Sequence, residues 1–206
     1  MNPNHDRKLI TLLFNPFVYI AGAPALGLGL AAILLAGLIG SLSHTHFDGV
    51  LDTHTGAHAL LGVFLAEGLV DWLCLALVLL IFGKIISKTA FRTIDLLGTQ
   101  ALARWPTIFI SLVTLPPAFQ RFSHDLLDQL TKPGGKIEIN PSDAIIFFAA
   151  VLAMLLFLCW MVALMYKSYS VSCNVKGGKA IGTFIAGLLL AEILSKIAVY
   201  GLFKLI

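Results

Sequence analysis

The side chains most able to do chemistry in this chain of 206 residues are histidines and aspartates crowded between two apolar runs. Four of the six histidines fall within a stretch of 15 residues, interleaved with two aspartates. Imidazole nitrogens and carboxylate oxygens are the ligands that Zn²⁺ and similar divalent ions take in proteins. The group therefore predicts a metal site, formed by His44, His46, Asp48, Asp52, His54 and His58.

The spacing of this group matches no established metal motif. His54 and His58 would share one helix face, but a zinc-protease helix needs a glutamate directly after its first histidine. Thr55 stands at that position. The alternative is a polar loop whose histidines are solvated or cap the neighbouring helices. No cofactor is certain at this stage, and a divalent metal such as zinc is the hypothesis to test.

Further ionisable residues lie inside the apolar runs themselves. Glu67 and Asp71 are four residues apart, and a carboxylate at mid-membrane costs at least about 2.5 kcal/mol, so such groups face the interior of a helix bundle. They would relay protons, complete a metal site or bond to a neighbouring helix. Glu192 and Lys196 repeat the spacing with opposite charges, which predicts an ion pair on one helix. Pairing of Lys196 with Glu67 or Asp71 is the rival interpretation.

The elements that must position these residues are membrane spans. Hydrophobic residues make up 58% of the chain and charged residues 12%, against about 25% charged in a soluble domain. The apolar runs are long enough for a hydrocarbon core of about 30 Å. We expect an all-α polytopic membrane protein, with residues 1–206 forming a single membrane domain, and no role in nucleic-acid binding. Its five transmembrane helices, in one bundle, are predicted at about 20–42, 59–86, 97–119, 144–166 and 180–205.

The basic residues predict the orientation of these spans. Cytoplasmic loops of membrane proteins carry an excess of Lys and Arg. Of the 14 Lys and Arg residues, nine fall in segments that are inside if the N-terminus is inside, and residues 43–58 hold none. The distribution therefore predicts an N-terminus inside and a C-terminus outside.

Residues 84–106 carry four basic side chains and an apolar stripe at helical spacing. This pattern predicts a basic, amphipathic connector that lies in the inner interface, with Lys88, Arg92 and Asp95 on its solvated side. The apolar run at 105–119 is too short to cross by itself. A helix that begins near residue 96 would cross, with Arg104 reaching back to the interface and Pro106 kinking the helix.

Two segments of the chain resemble a known family. Residues 91–98, FRTIDLLG, followed by Trp105-Pro106, look like the segment that enters the third span of the Yip family, and residues 176–180, KGGKA, look like its entry to the fifth. Yip proteins are five-span integral membrane proteins named for interaction with Rab-type GTPases. The resemblance covers most of residues 9–205. It implies a role in membrane organisation, trafficking or partner scaffolding, no catalytic residue, and a bacterial inner (cytoplasmic) membrane.

The acidic-tyrosine motif of the eukaryotic N-terminal domain is missing here, so no Rab partner is implied. The chain also lacks a nucleophile elbow and a Gly-rich phosphate loop, so we expect no enzyme. The first hypothesis is a Yip-type protein that binds the bilayer and protein partners, or associates with itself. Its working surface would be the two connectors, with Lys88, Arg92, Asp95, Gly98, Arg104, Pro106, Lys176 and Lys179. The second is a small metal- or proton-handling protein that uses the outer His/Asp loop with Glu67 and Asp71.

Overall fold

The computed structural model describes residues 10–131 and 140–203. The elements bounded within these residues are seven α-helices, a short 3-10 turn and a two-stranded sheet. In chain order they are the 3-10 turn Pro16–Val18, α1 Gly22–Ser43, β1 Thr45–His46, β2 His54–Thr55, α2 Leu61–Ile86, α3 Thr93–Leu102, α4 Thr107–Val113, α5 Pro117–Thr131, α6 Pro141–Ser172 and α7 Gly177–Phe203.

Within the described residues, five stretches are long and apolar enough to cross a membrane. They are α1, α2, α6, α7 and the combined stretch Thr93–Val113, which contains α3 and α4. The prediction of five long apolar helices is therefore confirmed. The prediction of an all-α chain needs one correction, because the histidine-rich loop forms an antiparallel strand pair that joins Thr45 to Thr55 and His46 to His54.

The third apolar stretch differs most from the prediction. It begins at Thr93, and only residues 87–92 link it to α2, so the connector is shorter than the predicted 84–106, whose remaining residues belong to α2, to α3 and to the break after α3. In the most apolar part of this stretch 61% of the residues are buried, whereas in the most apolar part of α6 only 11% are. This stretch is therefore the inner span of the protein, whereas α6 presents most of its surface to the surroundings.

A break separates α3 from α4 at residues 103–106. Pro106 has no N–H to donate and its ring disfavours a continuous helix. The chain passes this point through hydrogen bonds of the 3-10 type, from Arg104 N–H to the Ala101 carbonyl at 3.1 Å and from Thr107 N–H to the Arg104 carbonyl at 2.9 Å. The predicted kink at Pro106 is thus a full interruption of the helix.

Small residues let α1 and α3 approach until their backbones touch. A Cβ added at Gly98 would lie 2.4 Å from the Gly22 carbonyl oxygen, and one added at Gly29 would lie 2.3 Å from the Ala101 backbone. Both distances are shorter than any van der Waals contact. The pair α1–α3 is the most extensive helix contact in the described residues, followed by α2 with α7.

The helices define two ends of the molecule. The hairpin end holds the β1–β2 loop, α5 and the beginnings of α2 and α6. There Phe119 of α5 stacks on Phe147 of α6, and Phe122 packs against the same ring at a tilt. The connector end holds residues 87–92 and 173–176, which meet where the Asn174 side chain donates to Thr89 Oγ1 at 3.3 Å. Two parts of the chain that are distant in sequence thus form one surface at the connector end.

Candidate functional site

The loop between α1 and α2 turns into the helix bundle and is held there by ionisable side chains. We call residues 47–51 of this loop the inserted segment. Glu67 of α2 is fully buried, and its Oε2 accepts a 3.1 Å hydrogen bond from the Phe47 N–H. Its Oε1 lies 2.8 Å from His46 Nδ1. Glu67 therefore fastens the beginning of the inserted segment to α2, about 9 Å along the helix from its first residue.

The other end of the inserted segment is fastened to α7. Glu192 Oε2 accepts the Leu51 N–H at 2.9 Å, and Ser195 Oγ accepts the Val50 N–H at 3.2 Å. A Cβ at Gly49 would lie 2.5 Å from Glu192 Oε1, so a larger residue there would displace the carboxylate that accepts the Leu51 N–H. Backbone amides that no strand or helix satisfies thus find their acceptors on carboxylate and hydroxyl side chains.

An Arg–Asp pair lies deeper in the bundle. Arg104 Nη2 is 3.4 Å from Asp71 Oδ2 and 3.5 Å from the Val50 carbonyl oxygen, and the two side chains are 2% and 0% exposed. The prediction that Arg104 reaches the interface is wrong. Because α3 begins at Thr93, Arg104 lies about 16 Å along the span, too far for its side chain to leave the bundle. The buried Asp71 offsets its charge instead.

The Arg104–Asp71 pair is incompletely satisfied by protein atoms. Among the residues that the structure describes, Asp71 Oδ1 and Arg104 Nη1 are buried and have no hydrogen-bond partner. Both groups lie next to the α3–α4 break, where helix interruptions of membrane proteins commonly carry polar groups. Glu67 and Asp71, predicted to face the bundle interior, both do so.

His46 occupies a position suited to its protonated form. Its Nδ1 faces Glu67 and its Nε2 lies 3.0 Å from the Ala57 carbonyl oxygen, so both ring nitrogens face acceptors. A histidine that donates from both nitrogens is an imidazolium. Burial lowers the pKa of His46, but the hydrogen bonds to Glu67 and Ala57 and the charges of Glu67 and Asp48 outweigh it, so the pKa is raised above 6.5.

The six predicted metal ligands do not form one cluster. His54 Nδ1 lies 3.2 Å from Asp48 Oδ1, the His44 and His58 rings contact each other with centroids 3.8 Å apart, and Asp52 pairs with Lys196. Across residues 10–131 and 140–203, no three His, Cys, Asp or Glu side chains are grouped as a metal ion would require. Asp48 and Asp52 instead take separate partners, His54 and Lys196, and the metal hypothesis gains no support from the geometry.

His44 has a different electrostatic environment from His46. It ends α1 with a left-handed backbone at φ 50°. Burial lowers its pKa, and so do the neighbouring His58, His46 and His124. His124 belongs to α5 and was not part of the predicted group, because a single histidine in an amphipathic helix gives no sequence signal for proximity to His44.

The predicted pair on α7 is formed. Lys196 Nζ lies 3.6 Å from Glu192 Oε1, as the spacing of four residues predicted, and it also bonds Asp52. The rival partners Glu67 and Asp71 are engaged with His46 and Arg104 instead. Sequence reasoning missed Ser195, although it lies three residues after Glu192 and so on the same helix face.

A separate polar cluster at the connector half of the bundle was also missed. Thr99 Oγ1 lies 2.7 Å from Ser168 Oγ and 2.8 Å from Ser172 Oγ, which joins α3 to α6. Gln100 donates to the Met165 carbonyl at 2.9 Å. Hydroxyl and amide side chains are common in membrane helices, so their types alone did not distinguish a contact between helices.

The connector end carries a basic surface. Lys176 and Lys179 at the start of α7 are exposed, as are Lys88 and Arg92 before α3, while Asp95 is half-buried. Lys84 Nζ lies 4.7 Å from the centroid of the Phe91 ring. Among the described residues, the exposed basic side chains of this end are Lys84, Lys88, Arg92, Lys167, Lys176 and Lys179.

No family model, no curated protein and no solved structure matches this chain.

Proposed function

We propose that this chain is a non-enzymatic integral membrane protein of the Yip type, which acts in membrane organisation, trafficking or scaffolding by binding partners at its connector end. The observation that carries the proposal is the basic surface formed by two connectors that are distant in sequence. Lys88 and Arg92 come from one connector and Lys176 and Lys179 from the other, and the Asn174–Thr89 hydrogen bond holds the two together.

The chemistry of this surface defines its partner. Exposed lysines and arginines beside an apolar bundle attract anionic groups within a Debye length of about 8 Å at physiological ionic strength. The excess of basic residues also supports a cytoplasmic location for this end and an N-terminus inside. We therefore propose a protein partner with an acidic segment on the cytoplasmic face of a bacterial inner membrane.

The contacts of the intramembrane charges support partner binding over transport. Glu67, Glu192 and Arg104 each bond the backbone of the inserted segment. A side chain that holds a loop in place through charge-assisted hydrogen bonds is costly to rearrange in a transport cycle. These groups are accordingly proposed as structural elements that fix the hairpin end.

Site-specific photocrosslinking in cells tests the proposal. A photoreactive amino acid at position 88, 92, 176 or 179 should give adducts with the same protein, whereas one at Asp125, on the exposed face of α5, should not. Changing all four basic residues to alanine should abolish the adduct formed from a reporter at Thr89. The matched control exchanges each Lys for Arg and each Arg for Lys, and should retain the adduct because the charge is kept. An adduct that survives the alanine changes, or forms only from position 125, would overturn the proposal.

Proton handling is the second candidate, and one observation favours it. Asp71 Oδ1 and Arg104 Nη1 are buried without a protein partner beside the helix break. Proteoliposomes that contain a trapped pH-sensitive dye separate the candidates. Under the proposed binding function, a proton gradient decays at the rate of empty vesicles. A faster decay that Asp71→Asn removes would establish proton handling instead.

A further inference from the structure

A cleft at the hairpin end opens towards the surface of α6. Its volume is about 390 Å³, and its walls are the β1–β2 loop, α4, α5 and α6. It separates the hairpin from α6, so this region of the bundle is held together by α5 rather than by direct packing. Arg121 of α5 forms a two-pronged pair with Asp143 of α6, with both distances at 2.8 Å, which joins the two helices that form walls of the cleft.

The polarity of the cleft changes along its length. Polar side chains lie on the hairpin side, where Asp52 and His54 line the cleft and Thr55 Oγ1 lies 2.7 Å from Ser123 Oγ of α5. The wall on α6 is apolar from Phe147 through Val151 to Leu158. Because α6 begins at the hairpin end, this wall runs from about 9 Å to about 26 Å along the helix. In a membrane that interval lies in the hydrocarbon region, while the hydroxyls lie nearer the interface.

The dimensions of the cleft select its occupant. The cleft is narrow, because a volume of about 390 Å³ is spread over an α6 length of about 17 Å. A helix from a second copy, with a diameter of about 10–12 Å, is too wide to enter it. A single hydrocarbon chain is thin enough to enter, and the bilayer that surrounds α6 supplies such chains in excess. An empty apolar cleft open to lipid would forfeit the dispersion contacts of its walls.

We propose that this cleft binds one acyl chain of a membrane glycerophospholipid, with the ester region of the lipid against the Thr55 and Ser123 hydroxyls. One of the two hydroxyls donates to the other, so the pair offers one O–H to an ester carbonyl of the lipid. The α6 wall packs along the chain. The site lies at the opposite end of the molecule from the connectors, so it is independent of partner binding there.

The experiment uses purified full-length protein in bilayers of phosphatidylethanolamine that contain a small fraction of the same lipid with a diazirine in one acyl chain. After illumination, peptide mapping locates the adducts. We expect them to concentrate on cleft residues such as Met154 and Phe119. Val151→Trp should fill the cleft and lower the adduct yield roughly tenfold, because the indole ring occupies the space of the chain.

Leu152→Trp is the matched control, because Leu152 is 61% exposed and does not line the cleft. It should leave the adducts in place. Equal adduct formation around all faces of α6, or a yield that Val151→Trp leaves unchanged, would show general bilayer contact and overturn the site. Thr55→Val with Ser123→Ala provides a second variant that keeps the volume of the cleft. It should reduce retention of a bound phospholipid in native mass spectrometry, and unchanged retention would also count against the proposal.

Discussion

Buried carboxylates in this protein are matched to backbone amides as well as to cations. The N–H groups of Phe47, Val50 and Leu51 lie inside the bundle, and a buried donor left unpaired costs about 1–3 kcal/mol. A lone carboxylate within a membrane is costly too. Glu67 accepts the Phe47 amide and Glu192 accepts the Leu51 amide, so each of these penalties is offset by the other group. The Val50 amide is accepted by the Ser195 hydroxyl. If either partner is removed, the other is left buried without its hydrogen bond, and its desolvation penalty is no longer offset.

The opposite pKa shifts of His46 and His44 predict that the stability of the folded protein is greatest near pH 6.5. Burial lowers the pKa of His46, but Glu67, Ala57 and Asp48 raise it further, so the folded-state pKa lies above 6.5. The contribution of His46 to the free energy of unfolding is therefore complete below pH 6.5 and is lost as the pH rises through the folded-state pKa. The pKa of His44 is lowered by burial and by His58, His46 and His124, so stability is lost as the pH falls below 6.5. Thermal unfolding of the detergent-solubilised protein between about pH 5 and pH 9 measures both limbs.

Substituting each histidine in turn separates the loss of stability at alkaline pH from the loss at acidic pH. His46→Gln should remove most of the loss of stability at alkaline pH, because glutamine does not titrate. The loss at acidic pH should be retained and slightly weakened, since burial and His58 contribute more than His46 to the low pKa of His44. His44→Gln should do the reverse. An alkaline limb that is unchanged in His46→Gln would mean that other groups control it, and the proposed imidazolium at position 46 would then be excluded.

At the scale of elements, the third apolar stretch organises the bundle. The α3 part packs backbone to backbone on α1, and the break before α4 places Arg104 where it reaches Asp71 and the Val50 carbonyl. A continuous helix would keep the Pro106 ring against the preceding turn at a cost of about 3 kcal/mol. The interruption removes that strain.

Gly98→Ala tests the contact between α1 and α3. The added methyl would lie 2.4 Å from the Gly22 carbonyl oxygen and 2.9 Å from the Leu26 nitrogen, both backbone atoms of α1. Because backbone cannot move aside as a flexible side chain can, we expect a loss of about 1–3 kcal/mol. Unfolding in mixed detergent micelles measures the change in the free energy of unfolding.

Gly27→Ala is the control for this substitution. A Cβ at Gly27 of α1 meets nothing within 4 Å, so the change should stabilise by about 0.5–1 kcal/mol through helix propensity. Equal effects of the two substitutions would contradict the close α1–α3 contact.

At the scale of the whole molecule, the two ends differ in charge and in construction. The hairpin end is held by buried ion pairs and hydrogen bonds, while the connector end presents exposed cations. The asymmetry matches the excess of positive charge on the cytoplasmic side of membrane proteins. The proposed orientation follows from it, with the connectors inside and the hairpin outside.

Cysteine labelling in intact cells tests this orientation. Lys88→Cys, in a background where the native cysteines are replaced, should react with a membrane-impermeant thiol reagent only after the cells are permeabilised. Asp125→Cys should react without permeabilisation, because it is exposed at the hairpin end. The opposite labelling pattern would invert the orientation and would move the proposed partner surface outside the cytoplasm.

The sequence by itself determined the long apolar helices and the Glu192–Lys196 pair. Apolar run lengths and a spacing of four residues are local properties, and they are legible without tertiary contacts. The same information indicated that Glu67 and Asp71 face inwards, because an intramembrane carboxylate has few other options.

Only the tertiary structure decided which groups meet. The sequence predicts Arg104 at the interface because its partner Asp71 lies 33 residues away, and no periodicity connects the two. The histidine-rich loop resembled a metal site in composition, yet its ionisable groups are divided among Glu67, Lys196 and one another. The hydrogen-bonding needs of a loop backbone inside a bundle depend on where the loop lies, and that position is fixed by the packing of α2, α3 and α7 around it.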